Sequence, residues 1–320
     1  MKKLILCAAA MLFATMGFSQ NESLIDQGKV NTADVNQAST IDMHYNFSDV
    51  YQRGENDADV DQIGENSSIV EQRGQTNWAQ VNQNGGDGLS GYGHAKIQES
   101  AVYQQGKNNL ASVYQVGEGN DSFVDQLNNN GVGPKLGNKA EIIQEGLNNK
   151  STLYQENDKN WANTTQNGKR NKSLTTQKSY DLTESIHPTP SYLQGNWVIQ
   201  NGEANYSNVY QNGDNQGSII TQSADSPSAH SSSDRGQIIG SSICELWTNE
   251  AYVTQNGALA LSTIDQRDCE MVGANNYAEV NQTNTVSSLR ANKSVVFENR
   301  STVIQKGANT AIVNQVKGIQ

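Results

Sequence analysis

Side chains that could move protons or hold metals are few in this chain of 320 residues. The four histidines, His44, His94, His187 and His230, stand alone, and no His or Cys pair has the spacing of metal ligands. What recurs instead is the primary amide: between residues 60 and 85, Gln62, Gln72 and Gln83 return at near-regular intervals, with Asn66 and Asn77 six residues ahead of the last two. An uncharged amide offers two donors and two acceptors and does not titrate, so its chemistry is hydrogen bonding. No acid, base and nucleophile are gathered as catalysis requires. The reading is therefore a non-enzyme with no catalytic, cofactor or metal residues, in which amides recognise other amides.

Aligned on glutamine, the chain resolves into a seven-residue unit: Asn, any, Ala or Ser, any, Val or Ile, any, Gln. It is seen in "NDADVDQ" (56–62), "NSSIVEQ" (66–72), "NWAQVNQ" (77–83), "NLASVYQ" (109–115), "NDSFVDQ" (120–126), "NYSNVYQ" (205–211) and "NTAIVNQ" (309–315). Twenty-one units can be placed, the first ending at Gln27 and the last at Gln315. Departures are few: Asn196 at the third position, Thr164 and Thr175 at the fifth, and Gln98, Gln194, Gln216 and Ala260 at the first.

Alternate positions share one face of a strand and cannot share one face of a helix, so each unit reads as a β-strand. Three or four residues rich in Gly and Asn separate most units, and these tolerate the positive φ of tight reversals. Two strands and two turns make one coil. The predicted fold is all-β: a β-solenoid of about ten two-strand coils, about 50 Å long at the ~4.8 Å strand spacing. Small third-position residues let the two sheets approach, and the fifth position fills the core. A buried amide without partners costs on the order of 2 to 7 kcal/mol, which stacked identical amides avoid by pairing along the axis. The expected ladder is carried by Asn56, Gln62, Asn66, Gln72, Asn77, Gln83, Asn109, Gln115, Asn120, Gln126, Asn149, Gln155, Asn205, Gln211, Asn309 and Gln315.

A thin core explains the composition, only 35% hydrophobic with a mean hydropathy of -0.68. Longer connections are expected at 38–45, 84–97, 127–137, 178–193, 223–248, 267–275 and 283–298, and all four prolines and all four histidines fall within them. Residues 1–19 read as a secretory signal peptide, with Lys2 and Lys3 before an apolar run and Gly17 and Ser19 near the cleavage site. Its loss removes two positive charges and takes the net charge from -11 to -13, which disfavours nucleic acid as a partner. Cys244 and Cys269 bracket two consecutive strands and are expected at one edge, close enough for a disulfide in an oxidising compartment. The first unit starts beside the cleavage site and the last ends near the C-terminus, so open, uncapped ends are expected. Outward acids such as Asp57, Asp59 and Asp61 read either as an ordinary solvated face or as gatekeepers that slow aggregation during export. Tyr103, Tyr114, Tyr154, Tyr210 and Tyr252 read either as an exposed adhesive stripe or as residues selected by β-propensity alone.

The order of Ser, Gln, Gly, Asn and Gln in "SSIVEQRGQTNWAQVNQ" resembles the repeat of the curlin subunits of bacterial curli fibres, and the resemblance runs over nearly all of residues 21–315. It implies an amyloid-forming extracellular protein that passes through a dedicated outer-membrane channel and assembles with itself into cell-surface fibres of a biofilm matrix. Implied partners are other copies of the chain, a nucleator or companion subunit, and the channel with its accessory proteins. The alternatives are a surface nucleator, or a monomeric solenoid adhesin. This chain departs from familiar curlins in its larger number of repeats, its long connections, and the lack of a clear targeting segment ahead of "NESLIDQ" (21–27).

Overall fold

Burial that alternates residue by residue along every central unit is the signature of strands with one covered face, and the computed structural model has it throughout. The structure describes residues 20–28, 30–38, 45–85, 97–128, 137–157, 159–179, 194–214, 216–224, 249–258, 260–267, 276–284, 299–306 and 310–317. The signal segment, the interiors of the long connections, the prolines and histidines, Cys244, Cys269 and Asn309 lie outside the described residues.

In chain order the strands are β1 (Gln20–Gly28), β2 (Thr32–Ala38), β3 (Tyr45–Ile63), β4 (Asn66–Gly85), β5 (Gln98–Lys107), β6 (Leu110–Glu118), β7 (Asp121–Leu127), β8 (Lys139–Leu147), β9 (Lys150–Glu156), β10 (Asn160–Lys169), β11 (Lys172–Lys178), β12 (Gln194–Glu203), β13 (Asn205–Asp214), β14 (Gln216–Ala224), β15 (Asn249–Ala258), β16 (Ala260–Arg267), β17 (Asn276–Asn284), β18 (Asn299–Lys306) and β19 (Thr310–Lys317). All pairing is parallel, and each unit pairs with the unit two places on, first position to first and glutamine to glutamine. The strands therefore form two facing columns. The first holds β1, the leading halves of β3 and β4, and then the odd-numbered strands to β19; the second holds β2, the trailing halves of β3 and β4, and the even-numbered strands to β18. The fold is the expected β-solenoid, ten coils with one further strand.

Positions three and five form the core. Val50, Val60, Val70, Val81, Val102, Val113 and Val124 are fully buried, as are Ala58, Ala79 and Ala111. Each buried valine contributes about 1.5 to 3 kcal/mol. The apolar core is not one column but two clusters, one ending at Ala162 and the other starting at Val198. Between them lie the units that depart from the pattern: Thr164, Thr175 and Asn196 are buried, and the Asn196 amide donates to the Thr175 hydroxyl at 2.7 Å while accepting from Ser218 at 2.5 Å.

The reversals differ from simple breaks. β3 and β4 each carry two units, because the arc between them stays hydrogen-bonded to the arc of the next coil. One φ in these arcs belongs to a glycine two residues beyond the glutamine, as at Gly54, Gly74, Gly146 and Gly168. A second positive φ falls on the residue just before the next unit, and there the chain places Thr76, Arg170 and Ala204 as well as Asn108 and Asn148. Stacked neighbours impose the left-handed conformation at this second point whatever the side chain, which is why composition does not reveal it.

Candidate self-association site

The glutamines of each column form an unbroken row. In the first column each side chain donates from Nε2 to Oε1 of the next, from Gln27 through Gln52, Gln72, Gln104, Gln126, Gln155, Gln177, Gln211, Gln255 and Gln282 to Gln315, at 2.7–2.9 Å. In the second the row runs from Gln37 through Gln62, Gln83, Gln115, Gln144, Gln166, Gln200, Gln222 and Gln266 to Gln305 over the same distances. Every donor points toward the C-terminal coils.

The second amide hydrogen is used as well. Gln104 donates it to the Trp78 carbonyl at 3.0 Å, Gln126 to Leu110 at 3.0 Å and Gln315 to Arg300 at 2.9 Å. In each case the acceptor is the second residue of the preceding unit, across the core. One mid-stack glutamine such as Gln126 thus ties its own strand to three others, and an amide that would otherwise be costly to bury has both hydrogens and its oxygen engaged.

The asparagines are placed differently. Some pair side chain to side chain, as Asn66 with Asn46 at 3.0 Å, Asn77 with Asn56 at 2.9 Å and Asn205 with Asn171 at 3.0 Å. Others link coils through the backbone: the amide N–H of Asn109 donates to Asn77 Oδ1 and that of Asn149 to Asn120 Oδ1, at 3.1 and 3.0 Å. Their Nδ2 groups hold the arcs, Asn120 on the carbonyls of Val116 and Gly146, and Asn149 on those of Glu145 and Gly168. The asparagine row is thus a clamp on the turns, whereas sequence periodicity suggests a copy of the glutamine row. Asn309 and the cysteine pair lie outside the described residues.

At the ends the covered face opens. Inward positions of β2 and β19 are only half-buried, and β1 is exposed from Asn21 to Gly28. Ile25, a fifth-position residue of the first unit, is 44% exposed, against 0% for the mid-stack valines at the same position. Among the described residues nothing pairs with the outer edges of β1 and β2 or of β18 and β19.

The outward faces are varied. Tyrosines do not form a single stripe: Tyr103 and Tyr154 lie on the first column with Phe123 between them at ring separations of 5.6 and 5.4 Å, Tyr206, Tyr252 and Tyr277 stack farther along it, and Tyr114 belongs to the second column. Burial, with Glu250 and neighbouring tyrosines, pushes the Tyr252 phenol up to about 12. Asp59 is held above the usual carboxylate range by burial and by repulsion from Asp61, Asp34 and Asp57. A carboxyl raised on folding binds its proton more tightly in the fold, so its contribution favours the fold below the folded pKa and is lost as pH rises through it. Asp59→Asn is accordingly expected to raise the melting temperature at pH 7 and to leave it nearly unchanged at pH 3, read by thermal melts at the two pH values.

Comparison with known proteins adds one family. No curated protein and no solved structure matches the chain. Residues 101–127, which span the end of one unit and the whole of the next two, match the model described as curlin associated repeat. The same two-column register runs from β1 to β19 on either side of that stretch, so the residues that match a curlin associated repeat are part of a longer array of like units.

Proposed function

We propose that the chain is the subunit of an extracellular curli-like amyloid fibre, secreted under direction of residues 1–19 and assembled head to tail into biofilm matrix that also serves cell adhesion. The observation that carries this is the open glutamine row. Gln27 and Gln37 end it with oxygens and Gln315 ends it with N–H, each inside a strand edge that has backbone groups to offer. Such an edge is a template for another strand, and a head-to-tail contact that does not close gives a filament. The curlin repeat supports the same reading, and the net charge of -11 argues against nucleic acid as a partner. A companion nucleating subunit and an outer-membrane channel with accessory proteins belong to this proposal as its partners. A nucleator role is the second reading, favoured by the basic residues Arg300, Lys306 and Lys317 in the last strands.

Purified mature protein, incubated and followed by thioflavin fluorescence and electron microscopy, is expected to form unbranched fibres whose diffraction carries the ~4.8 Å strand repeat, with sonicated fibres abolishing the lag. Persistent monomer at high concentration would overturn the fibre reading and leave the monomeric adhesin. Fibres that appear only when a companion subunit is supplied would count against self-nucleation.

A further inference from the structure

The described strands begin and end in the same column: β1 and β19 both belong to the first, and the second stops one strand short, at β18. A second copy could seat β1 on β19 with columns aligned, leaving a one-strand gap in the second column at every junction. Alternatively it could turn by half a revolution about the coil axis, so that β1 lies on β18 and β2 on β19. We propose the half-turn; this rests on the self-assembly reading above, and fixes the register and partner surface of that contact.

The third position gives the first reason. Through Ser173 and Ser207 the first column carries serine and, through Ala140 and Ala162, the second carries alanine. Beyond Asn196 the two exchange: Ala251, Ala278 and Ala311 continue the first column, and Ser218, Ser262 and Ser301 the second. Seated with a half-turn, Ser23 falls on Ser301 and Ala33 on Ala311, and both rows continue. Seated in line, Ser23 falls on Ala311.

The cross-core glutamine bond is a second reason. Each ladder glutamine from Gln37 to Gln315 donates to the second-position carbonyl of the preceding unit. For Gln27 no such unit exists among the described residues. With a half-turn that unit is 309–315 of the other copy, and Gln27 reaches the Thr310 carbonyl as its counterparts reach theirs. In the aligned seating the required strand is the missing one.

Outward side chains supply a third. Asn281 donates to Asn314 at 3.0 Å, and Asn36 donates to Asp61 at 3.0 Å, both toward the C-terminal coils. The half-turn stacks Asn36 on Asn314, joining these into one run of four. It also brings Glu22 over Arg300, whereas the aligned seating sets Glu22 over Thr310.

Paired cysteines distinguish the seatings. In a Cys244→Ser, Cys269→Ser background, fibres of Asn36→Cys, Asn314→Cys protein are expected to give a ladder of dimers and higher species on mild oxidation, read on a non-reducing gel. Fibres of Asp26→Cys, Asn314→Cys protein are expected to stay monomeric on the same gel. All three altered positions are exposed on outward faces. A ladder from the second pair and not the first, or none from either in fibres seen by microscopy, would overturn the half-turn while leaving self-assembly intact. Absence of fibres from all variants and the parent would overturn both.

Discussion

Gln126→Leu is expected to lower stability by about 3 kcal/mol or more, because a buried donor or acceptor stripped of its partner costs at least about 1 kcal/mol and this change strips three. Gln104 loses the acceptor it reaches at 2.8 Å. Gln155 loses its 2.8 Å donor and the Leu110 carbonyl loses its 3.0 Å one. Leucine is close to glutamine in volume, so the loss measured is chiefly that of the hydrogen bonds and not of a cavity. Gln126→Glu keeps the shape and sharpens the test. As a carboxylate it accepts but cannot donate, and its buried charge raises its pKa in the fold. Its destabilisation should therefore be greatest at neutral pH and shrink as pH falls through that raised pKa. Urea unfolding followed by circular dichroism at pH 7 and pH 4 reads both effects. A leucine variant within about 1 kcal/mol of the parent, the ordinary range of a neutral hydrogen bond, would mean that the row is held by the strands and not the reverse.

Gly146→Ala should be comparably damaging for a different reason. Gly146 has φ 112°, and a methyl built there lies 2.1 Å from the Gly168 carbonyl oxygen. That φ is open essentially to glycine alone, and strain of this kind costs about 1 to 3 kcal/mol before the clash is counted. Relief requires the arc to lift, which also loosens the Asn120 bond to the Gly146 carbonyl. A loss of about 3 kcal/mol or more is expected. Gly217→Ala is the matched control: there the added methyl meets only the end of the Leu261 side chain, at 3.0 Å. It should cost under about 1 kcal/mol. Thermal melts of the two variants side by side test the contrast, and equal losses would count against the stacked-arc explanation.

Much of this was legible in the residue order because the repeat writes one physical role at each position. A glutamine every ten or eleven residues can be read as a rung, and valine two residues before it as core, without knowing the coil. The asparagines were not fully legible, since whether Asn109 meets another side chain or a backbone N–H depends on how far its arc is displaced from the next. Nor were Thr76, Arg170 and Ala204 at positive φ, where stacking overrides intrinsic preference. The exchange of serine and alanine rows is plain in the residues but carries no meaning until each strand is assigned to a column. Thr164, Thr175 and Asn196 read as lapses in the repeat; in the fold they form a polar belt that parts the core in two.

The one-way glutamine rows have an electrical consequence. An amide dipole of about 3.5 D repeated in the same sense at every coil adds along the axis as peptide dipoles do in a helix. The asparagine side-chain pairs run the other way but are fewer and interrupted by backbone links. A fibre built from such units has a vector, with an oxygen-rich tip and an N–H-rich tip that meet incoming subunits through different chemistry. Its two tips should therefore grow at unequal speeds, and a fibre watched in real time should lengthen chiefly in one direction.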